Sequence, residues 1–142
     1  MNIAVCISSV PDTTSKINFT ENNTKFDKNG VQLIINPYDE FGLTKAVMLK
    51  ETHNANITVI TVGDSTVEPV MRKALAIGAD SAVRIDSVAK DSYSTANEIA
   101  TYLIDNPADI IIAGKESTDY NTGAVPAMIA ELMNIPCINA CI

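Results

Sequence analysis

The sequence predicts an α/β protein built on one open, mainly parallel β-sheet with helices on both faces. Two observations carry this prediction. Short runs rich in Ile and Val recur along the chain, and such runs are typical of strands that are covered on both sides. Amphipathic patterns with helical spacing lie between these runs, and strands that alternate with helices indicate βαβ units with right-handed connections.

Four apolar runs are the predicted strands of this sheet. They occupy residues 3–7, 57–62, 82–85 and 109–113. The run at 82–85 contains Arg84, and charged side chains are rarely enclosed in a protein interior. We therefore expect this strand to be less buried than the other three.

Three predicted helices carry apolar residues at i, i+3, i+4, i+7 and i+8, which places these residues on one face. The stripes are Val67, Val70, Met71, Ala74 and Leu75; Ala96, Ile99, Ala100, Leu103 and Ile104; and Val125, Met128, Ile129, Leu132 and Met133. Gly78, Pro107 and Pro136 follow the stripes and predict where the helices end. A helix over residues 39–52 is less regular, and its best stripe is Leu43, Ala46 and Val47.

Residues 11–36 interrupt the alternation with a polar, turn-rich stretch. The sequence DKNG at 27–30 predicts a turn. It lies between two extended segments at residues 17–20 and 31–35. No internal repeat is present, and the whole chain, residues 1–142, is predicted to form a single domain.

The composition excludes several classes of function. Acidic residues outnumber basic ones by 17 to 10 and the net charge is −7, without the basic cluster that nucleic acids require. No apolar run reaches the roughly 18–20 residues of a membrane span, so no membrane insertion is expected. The first residues lack the basic segment of a secretory signal, and we expect a cytoplasmic protein.

Side chains suited to metal binding or nucleophilic chemistry are sparse. The cysteines are Cys6, Cys137 and Cys141, and the only histidine, His53, is distant from them in the sequence. This spacing matches no common metal site, and an odd number of cysteines suits a reducing compartment. A Ser-His-Asp triad would have to use His53, which we expect at the exposed end of a helix. We therefore predict no catalytic residue.

Three polar loops follow predicted strands, at residues 8–14, 36–40 and 114–123. In open parallel sheets, ligands bind beyond the carboxyl ends of the strands, so we expect these loops to share one rim. The last loop suits a phosphate group, because Gly114 and Gly123 allow close approach and the next helix offers free N–H groups at its start. Further polar groups in this loop come from Lys115, Ser117, Thr118, Asn121 and Thr122, and from Asp119, which can accept a hydrogen bond from a ribose hydroxyl.

The 114–123 loop and the corner at Asn36 can also be interpreted as purely structural features. Thr122 can be a helix N-cap and the two glycines ordinary turn residues, and neither a Walker loop nor a GxGxxG motif is present. Asn36 has a side-chain amide that can donate and accept, as adenine recognition requires. Alternatively, Asn36 and Pro37 only turn the chain into the next helix, where Asp39 is favoured by the helix dipole.

At these same loops the sequence resembles the β subunit of electron transfer flavoproteins, including the nitrogen-fixation type. The matching stretches are VCISSVPDT near the start, INPYDEFGLTKAVMLKE at 35–51, TVGDSTVEPVMRKALAIGAD at 61–80 and IIAGKESTDYNTGAVPAMIAELMNIP at 111–136. The resemblance implies a three-layer, Rossmann-like fold of the adenine nucleotide alpha-hydrolase type. It also implies a heterodimer with an α subunit that carries FAD, in which electrons pass from dehydrogenases to an acceptor through flavins.

The resemblance further implies that the β subunit holds AMP, or a second FAD, and contributes no catalytic residue of its own. The implied nucleotide contacts are Cys6 through its backbone, Asn36, Pro37, Tyr38, Asp39, Val62, Gly63, Gly114, Lys115, Glu116, Ser117, Thr118, Asp119, Tyr120, Asn121, Thr122, Gly123, Ala124 and Val125. The loop at 8–14 would lie toward the flavin of the α subunit or the second nucleotide.

Several positions depart from the family pattern. Ser8 stands where the family often has Lys, and Glu116, Ser117 and Thr118 change the donors near the phosphates, so AMP and FAD remain open alternatives. Family members are longer, and we expect this chain to be the N-terminal part of a subunit whose sheet is incomplete at the C-terminal end. The rival interpretations are a stand-alone adenine-nucleotide module like the universal stress proteins and a structural interaction domain.

Overall fold

The computed structural model describes residues 1–141, in which strands and helices alternate along most of the chain. The strands are β1 (Asn2–Cys6), β2 (Ser9–Pro11), β3 (Phe19–Thr20), β4 (Lys25–Phe26), β5 (Leu33–Ile35), β6 (Asn56–Val62), β7 (Ser81–Ile85) and β8 (Ile110–Ala113). The α-helices are α1 (Pro37–His53), α2 (Glu68–Ile77), α3 (Ser92–Asp105) and α4 (Ala124–Leu132).

The central sheet has the order β7-β6-β1-β8, and its neighbouring strands are all parallel. The register places Ile3 beside Ile57 on one side and beside Ile110 on the other. The four predicted strands are confirmed, with ends that differ by one residue. The outer strand β7 is half-buried beyond its exposed first residue, and it is less buried than β1 and β6, as predicted. The prediction is wrong for β8, which lies at the opposite edge of the sheet and is also half-buried beyond an exposed first residue.

Helices cover both faces of this sheet, which confirms the predicted three-layer fold class. Ile3 and Val5 of β1 pack with residues of α1 and α2, whereas Ala4 and Cys6 pack with residues of α3 and α4. Successive side chains of a strand point to opposite faces, so a strand between two helical layers needs apolar residues at every position. This requirement explains the continuous apolar runs in the sequence.

Helices α2 and α3 follow the predicted stripes except at the final position. In α4, Ile129 is the buried member of the stripe, and Leu132 is exposed. Leu75 and Ile104, the i+8 residues of α2 and α3, are exposed, whereas the earlier members of both stripes are buried. Position i+8 is rotated by about 80° from position i, which turns its side chain away from the sheet. Helix α2 ends as predicted at Gly78, whose φ is 143° and whose N–H donates to the carbonyls of Ala74 and Leu75.

Residues 9–35 form two small antiparallel pairings beside the main sheet. Strand β2 pairs with β5, and β3 pairs with β4. The predicted turn at 27–30 is present, with the N–H of Val31 donating to the carbonyl of Lys28. The segments on either side of it do not pair with each other, because Phe19 pairs instead with Phe26 through a tight turn of positive-φ residues.

Helix α1 is attached to the amino-end edge of the sheet through Lys50 in its last turn. The Lys50 ammonium group donates to the carbonyl of Gly78 at 3.2 Å and forms an ion pair with Asp80. Asp80 also accepts from the N–H of Ile57, at the start of β6, at 2.8 Å. The hydrogen bond from Lys50 is the main reason that the pKa of Asp80 lies below its ordinary value.

Candidate functional site

Asp39 joins the carboxyl ends of strands β1 and β8 to the first turn of α1. One carboxylate oxygen accepts from the N–H of Gly114 at 3.0 Å. The other accepts from the N–H and the hydroxyl of Ser8, at 2.8 and 2.7 Å. Asp39 is only 6% exposed, so this carboxylate is a buried junction between two of the three predicted loops.

Burial also sets the protonation of the groups at this junction. Desolvation raises the pKa of Asp39, and hydrogen bonds from Ser8 and Gly114 oppose that rise. Burial, with a smaller contribution from the Asp39 charge, raises the pKa of the neighbouring Cys6 thiol to about 12. Cys6 is therefore protonated at neutral pH, and a protonated thiol is a poor nucleophile and metal ligand.

Asn36 connects the corner before α1 to the loop that follows β8. Its side-chain amide donates to the carbonyl of Glu116 at 2.8 Å and accepts from the N–H of Thr118 at 3.3 Å. Its backbone N–H donates to the carbonyl of Ser8 at 3.0 Å. Through Asn36 and Asp39 the three polar loops meet, which confirms the prediction that they share one rim.

Two glycines let the loop at 114–123 fold tightly against α1 and against itself. A Cβ atom on Gly114 would overlap the Asp39 carboxylate and lie 2.8 Å from the backbone of Tyr38. A Cβ atom on Gly123 would lie 2.6 Å from the carbonyl oxygen of Lys115. Within the loop, the N–H of Ser117 donates to the carbonyl of Thr122 at 3.1 Å. Both glycines therefore allow close packing within the protein, and the close approach of a phosphate to them stays a prediction.

The start of helix α4 leaves backbone N–H groups available. The N-cap is Gly123, with no side-chain cap, so the alternative that Thr122 is the N-cap is wrong. Ala124 and Val125 occupy the first two helical positions, where N–H groups have no intrahelical acceptor, and Pro126 has no N–H. Lys115 lies in the same loop with a largely exposed side chain, 3.9 Å from the Glu116 carboxylate.

Val62 and Gly63 lie at the same edge, at the end of β6 beside β1. Gly63 has a φ of 156°, and a Cβ atom there would lie 2.8 Å from Val67. The guanidinium group of Arg84 donates to the carbonyl of Gly63 at 2.9 Å. The structure thus places all the predicted nucleotide contacts at or near the carboxyl ends of β1, β6 and β8.

A groove of about 650 Å³ opens at this rim, beside the tip of the 114–123 loop. Of the predicted contacts, only Thr118, Asp119 and Tyr120 line it. The predicted loop after β1 also lines it, through residues 9–15, and a further wall comes from the β3–β4 hairpin with the aromatic rings of Phe19 and Phe26. The sequence does not predict the hairpin wall, because nothing in a polar stretch indicates which distant loop it will face.

Two negative findings apply to the part of the chain that the structure describes. Within residues 1–141, no group of three or more His, Cys, Asp or Glu side chains is arranged to hold a metal ion. Among the described helices, none combines the length and the apolar character that crossing a membrane needs.

The sheet order, the two helical layers and the polar rim define a Rossmann-like α/β protein. A solved structure of the universal stress protein UspA from Lactobacillus plantarum has a similar fold, with a TM-score of 0.53 over 96% of this chain and 92% of that chain. The two sequences are only 15% identical, so this likeness shows the fold alone.

The sequence comparisons identify the family. Residues 23–142 match the electron transfer flavoprotein domain. Electron transfer flavoprotein subunit beta of Bacillus subtilis is 39% identical, covering 97% of this chain and 54% of the relative. The corresponding subunit of Clostridium acetobutylicum is 36% identical, covering 96% and 53%, and Protein FixA of Azotobacter vinelandii is 34% identical, covering 94% and 50%. The chain belongs to the β-subunit family of electron transfer flavoproteins, and it spans about half the length of these relatives.

Proposed function

We propose that this chain is the part of an electron transfer flavoprotein β subunit that holds an adenine nucleotide, either AMP or FAD. The observation that carries the proposal is the joining of the Asn36 corner to the 114–123 loop through the Asn36 amide. This contact brings two helix N-termini, those of α1 and α4, to one rim of the sheet. Such a rim is where open parallel sheets bind their ligands, and helix N-termini favour phosphate groups.

The phosphate of the nucleotide would lie against the first turn of α4. The N–H groups of Ala124 and Val125 are available there, and the Lys115 ammonium group adds positive charge. Thr122 offers a hydroxyl next to the N-cap, and its side chain is exposed. Asp119 lies at the groove, where its carboxylate would accept from a ribose hydroxyl.

The adenosine part would lie across the ends of β1 and β6. Here Cys6, Val62 and Gly63 present backbone groups at adjacent strand ends. The side chains of Cys6 and Asp39 are buried, so these residues would contribute to nucleotide binding mainly through their backbone atoms and through the local electrostatic field.

The partner would be an α subunit that carries FAD, in a cytoplasmic heterodimer that receives electrons from dehydrogenases. Flavins would supply the electron-transfer chemistry, and the protein would supply position and electrostatic field. The chain itself would contribute no bond-making residue. A buried thiol with a raised pKa at Cys6 is consistent with this non-catalytic role.

The test is a count of bound cofactors. The protein would be co-expressed with a flavoprotein α subunit, purified as the complex, and denatured to release its ligands for absorbance and mass measurements. One FAD and one AMP per heterodimer would indicate a simple carrier, and two FAD would indicate a redox-active nucleotide in the β subunit. Release of no adenine nucleotide beyond the FAD of the α subunit would overturn the proposal.

We expect the double change Asp119→Ala and Thr122→Ala to weaken AMP or FAD retention at least tenfold, with little loss of folding stability. Both side chains are exposed and make no long-range hydrogen bond in the structure. The matched control is Thr101→Ala with Asp105→Ala, an exposed pair on α3. Isothermal titration and urea unfolding would measure both effects. Equal losses of affinity and stability, or an equal loss of affinity in the control pair, would contradict the assignment.

A further inference from the structure

The side-chain amide of Asn36 is hydrogen-bonded within the protein at both its nitrogen and its oxygen. Its amide nitrogen donates to the carbonyl of Glu116 and its oxygen accepts from the N–H of Thr118. The residue is 1% exposed. To reach a base at the rim, this buried amide would have to turn outward. That movement would break both bonds and leave two backbone groups of the loop unpaired, which is unfavourable in a buried site.

The Asp39 carboxylate is also held by hydrogen bonds within the protein. Its two carboxylate oxygens accept three hydrogen bonds, from Gly114 and from the backbone and hydroxyl of Ser8. The groove at the rim is lined by Thr118, Asp119 and Tyr120, and neither Asn36 nor Asp39 lines it. Both polar side chains therefore lie beneath the loop at the rim.

We propose that Asn36 and Asp39 are positioning residues of the nucleotide site, whose side chains hold the 114–122 loop in its binding shape instead of contacting the nucleotide. The proposal rests on the proposed function, because it concerns the same site. In this proposal the Asn36 amide does not bind the adenine base, and it affects nucleotide binding by holding the loop in place.

The attachment of the loop explains why these two residues matter. The loop closes on itself through Ser117, Asn121 and Thr122, but these bonds do not fix it to the rest of the protein. Its recorded side-chain attachments to the α1 corner are the bond from Gly114 to Asp39 and the two bonds of Asn36. A loop held in one shape before binding loses less conformational freedom when the ligand arrives, and affinity rises accordingly.

The test compares nucleotides that differ in the base. AMP, IMP and GMP share ribose and phosphate but present different hydrogen-bonding edges. For Asn36→Ala we expect the affinity for whichever of these ligands bind to fall by one common factor, on the order of tenfold for the loss of two hydrogen bonds at a buried group. The ratio of AMP to IMP affinity should stay as in the unaltered protein. Collapse of that ratio would overturn the proposal and assign base recognition to Asn36.

Hydrogen exchange without ligand provides a second readout. Asn36→Ala should accelerate amide exchange in residues 115–122 while strands β1 and β6 keep their protection. Asn36→Asp should accelerate it too, because it keeps the size and the acceptor for Thr118 but loses the donor to Glu116. This variant keeps the test decisive if the alanine variant does not fold. Unchanged loop exchange in a folded variant would overturn the proposal.

The control is Asn106→Ala, which removes an amide that bonds only the carbonyl of Tyr102 on its own helix. It should change neither loop exchange nor affinity. If the unaltered protein binds none of the three nucleotides and its complex releases no adenylate, the proposed function fails. The loop-exchange result then still decides whether Asn36 positions the loop.

Discussion

Gly114 is the position where one additional carbon atom would disturb the rim most directly. We expect Gly114→Ala to lower the free energy of unfolding by about 1–3 kcal/mol, the usual range for overpacking. The added Cβ would overlap Asp39 and lie 2.8 Å from backbone atoms of Tyr38 and Asp39, which cannot move without shifting α1. Urea unfolding measures the loss.

Gly30→Ala is the comparison for this substitution. Gly30 has a φ of 72°, but nothing lies within 4 Å of a Cβ atom built there. Its substitution introduces only backbone strain, about 1 kcal/mol. If Gly114→Ala cost no more than Gly30→Ala, the close packing between the loop and α1 would not contribute to stability.

Asn36 shows how far a single residue can be interpreted from sequence. A polar residue at the end of an apolar run is unusual, and that signal correctly marked Asn36 as a residue with a specific role. Its partners Glu116 and Thr118 are 80 and 82 residues away in the chain. No local pattern indicates such partners, so the sequence left open whether the amide would meet a ligand or the protein itself.

At the scale of whole elements, prediction succeeded where burial imposes a pattern. The central strands and helices were predicted to within a few residues because the two helical layers force continuous apolar runs and regular stripes. Strands β3 and β4 have two residues each and are largely exposed. Such short strands show no alternation of apolar and polar residues. The sequence therefore predicted the extended segment at 17–20, which contains β3, and the turn at 27–30, but neither β4 nor its pairing with β3.

Helix α3 begins with a capping box, and this motif gives a prediction for the element. The Asp91 carboxylate accepts from the N–H of Ser94 at 2.7 Å, and the Ser94 hydroxyl accepts from the N–H of Asp91 at 3.1 Å. The backbone bond from Ser94 is the main reason that the pKa of Asp91 lies below its ordinary value. We expect Asp91→Ala to lower the thermal midpoint at neutral pH.

The pH dependence of this effect has a defined sign. The pKa of Asp91 is lower in the folded state than in the unfolded state, where it is about 3.9, so the ionised carboxylate stabilises the fold above that pH. This stabilisation is lost as the pH falls through the folded-state pKa. The difference between Asp91→Ala and the unaltered protein should therefore shrink below about pH 4. The control is Asp105→Ala, because Asp105 lies at the C-terminal end of the same helix, where the helix dipole disfavours a negative charge. This change should not lower the thermal midpoint. A constant difference from pH 7 to pH 3 would count against the cap as its cause.

At the scale of the whole molecule, the layers predict an order of local stability. Strands β1 and β6 lie inside the sheet and contribute fully buried side chains to both cores. The β3–β4 hairpin pairs only with itself, and the ring of Phe19 is exposed. Amide exchange should therefore be slowest in β1 and β6 and fastest in β3 and β4, since protection follows burial and local contacts.

Exchange followed by mass spectrometry at peptide resolution would check this order. Protection of β3 and β4 equal to that of β1 would show that the hairpin is stabilised by contacts that the structure does not record. The same measurement on the nucleotide complex would show whether the groove beside the hairpin takes part in binding, because only then would Phe19 and Phe26 gain protection.

Helix α1 is fastened at opposite edges of the sheet, by Asp39 near its start and by Lys50 near its end. One residue inserted or deleted between these two anchors would turn one end by about 100° relative to the other. Asp39 and Lys50 could then not both face their partners. The number of residues in this stretch is therefore fixed by geometry, and variation in the length of the protein must be accommodated in its loops.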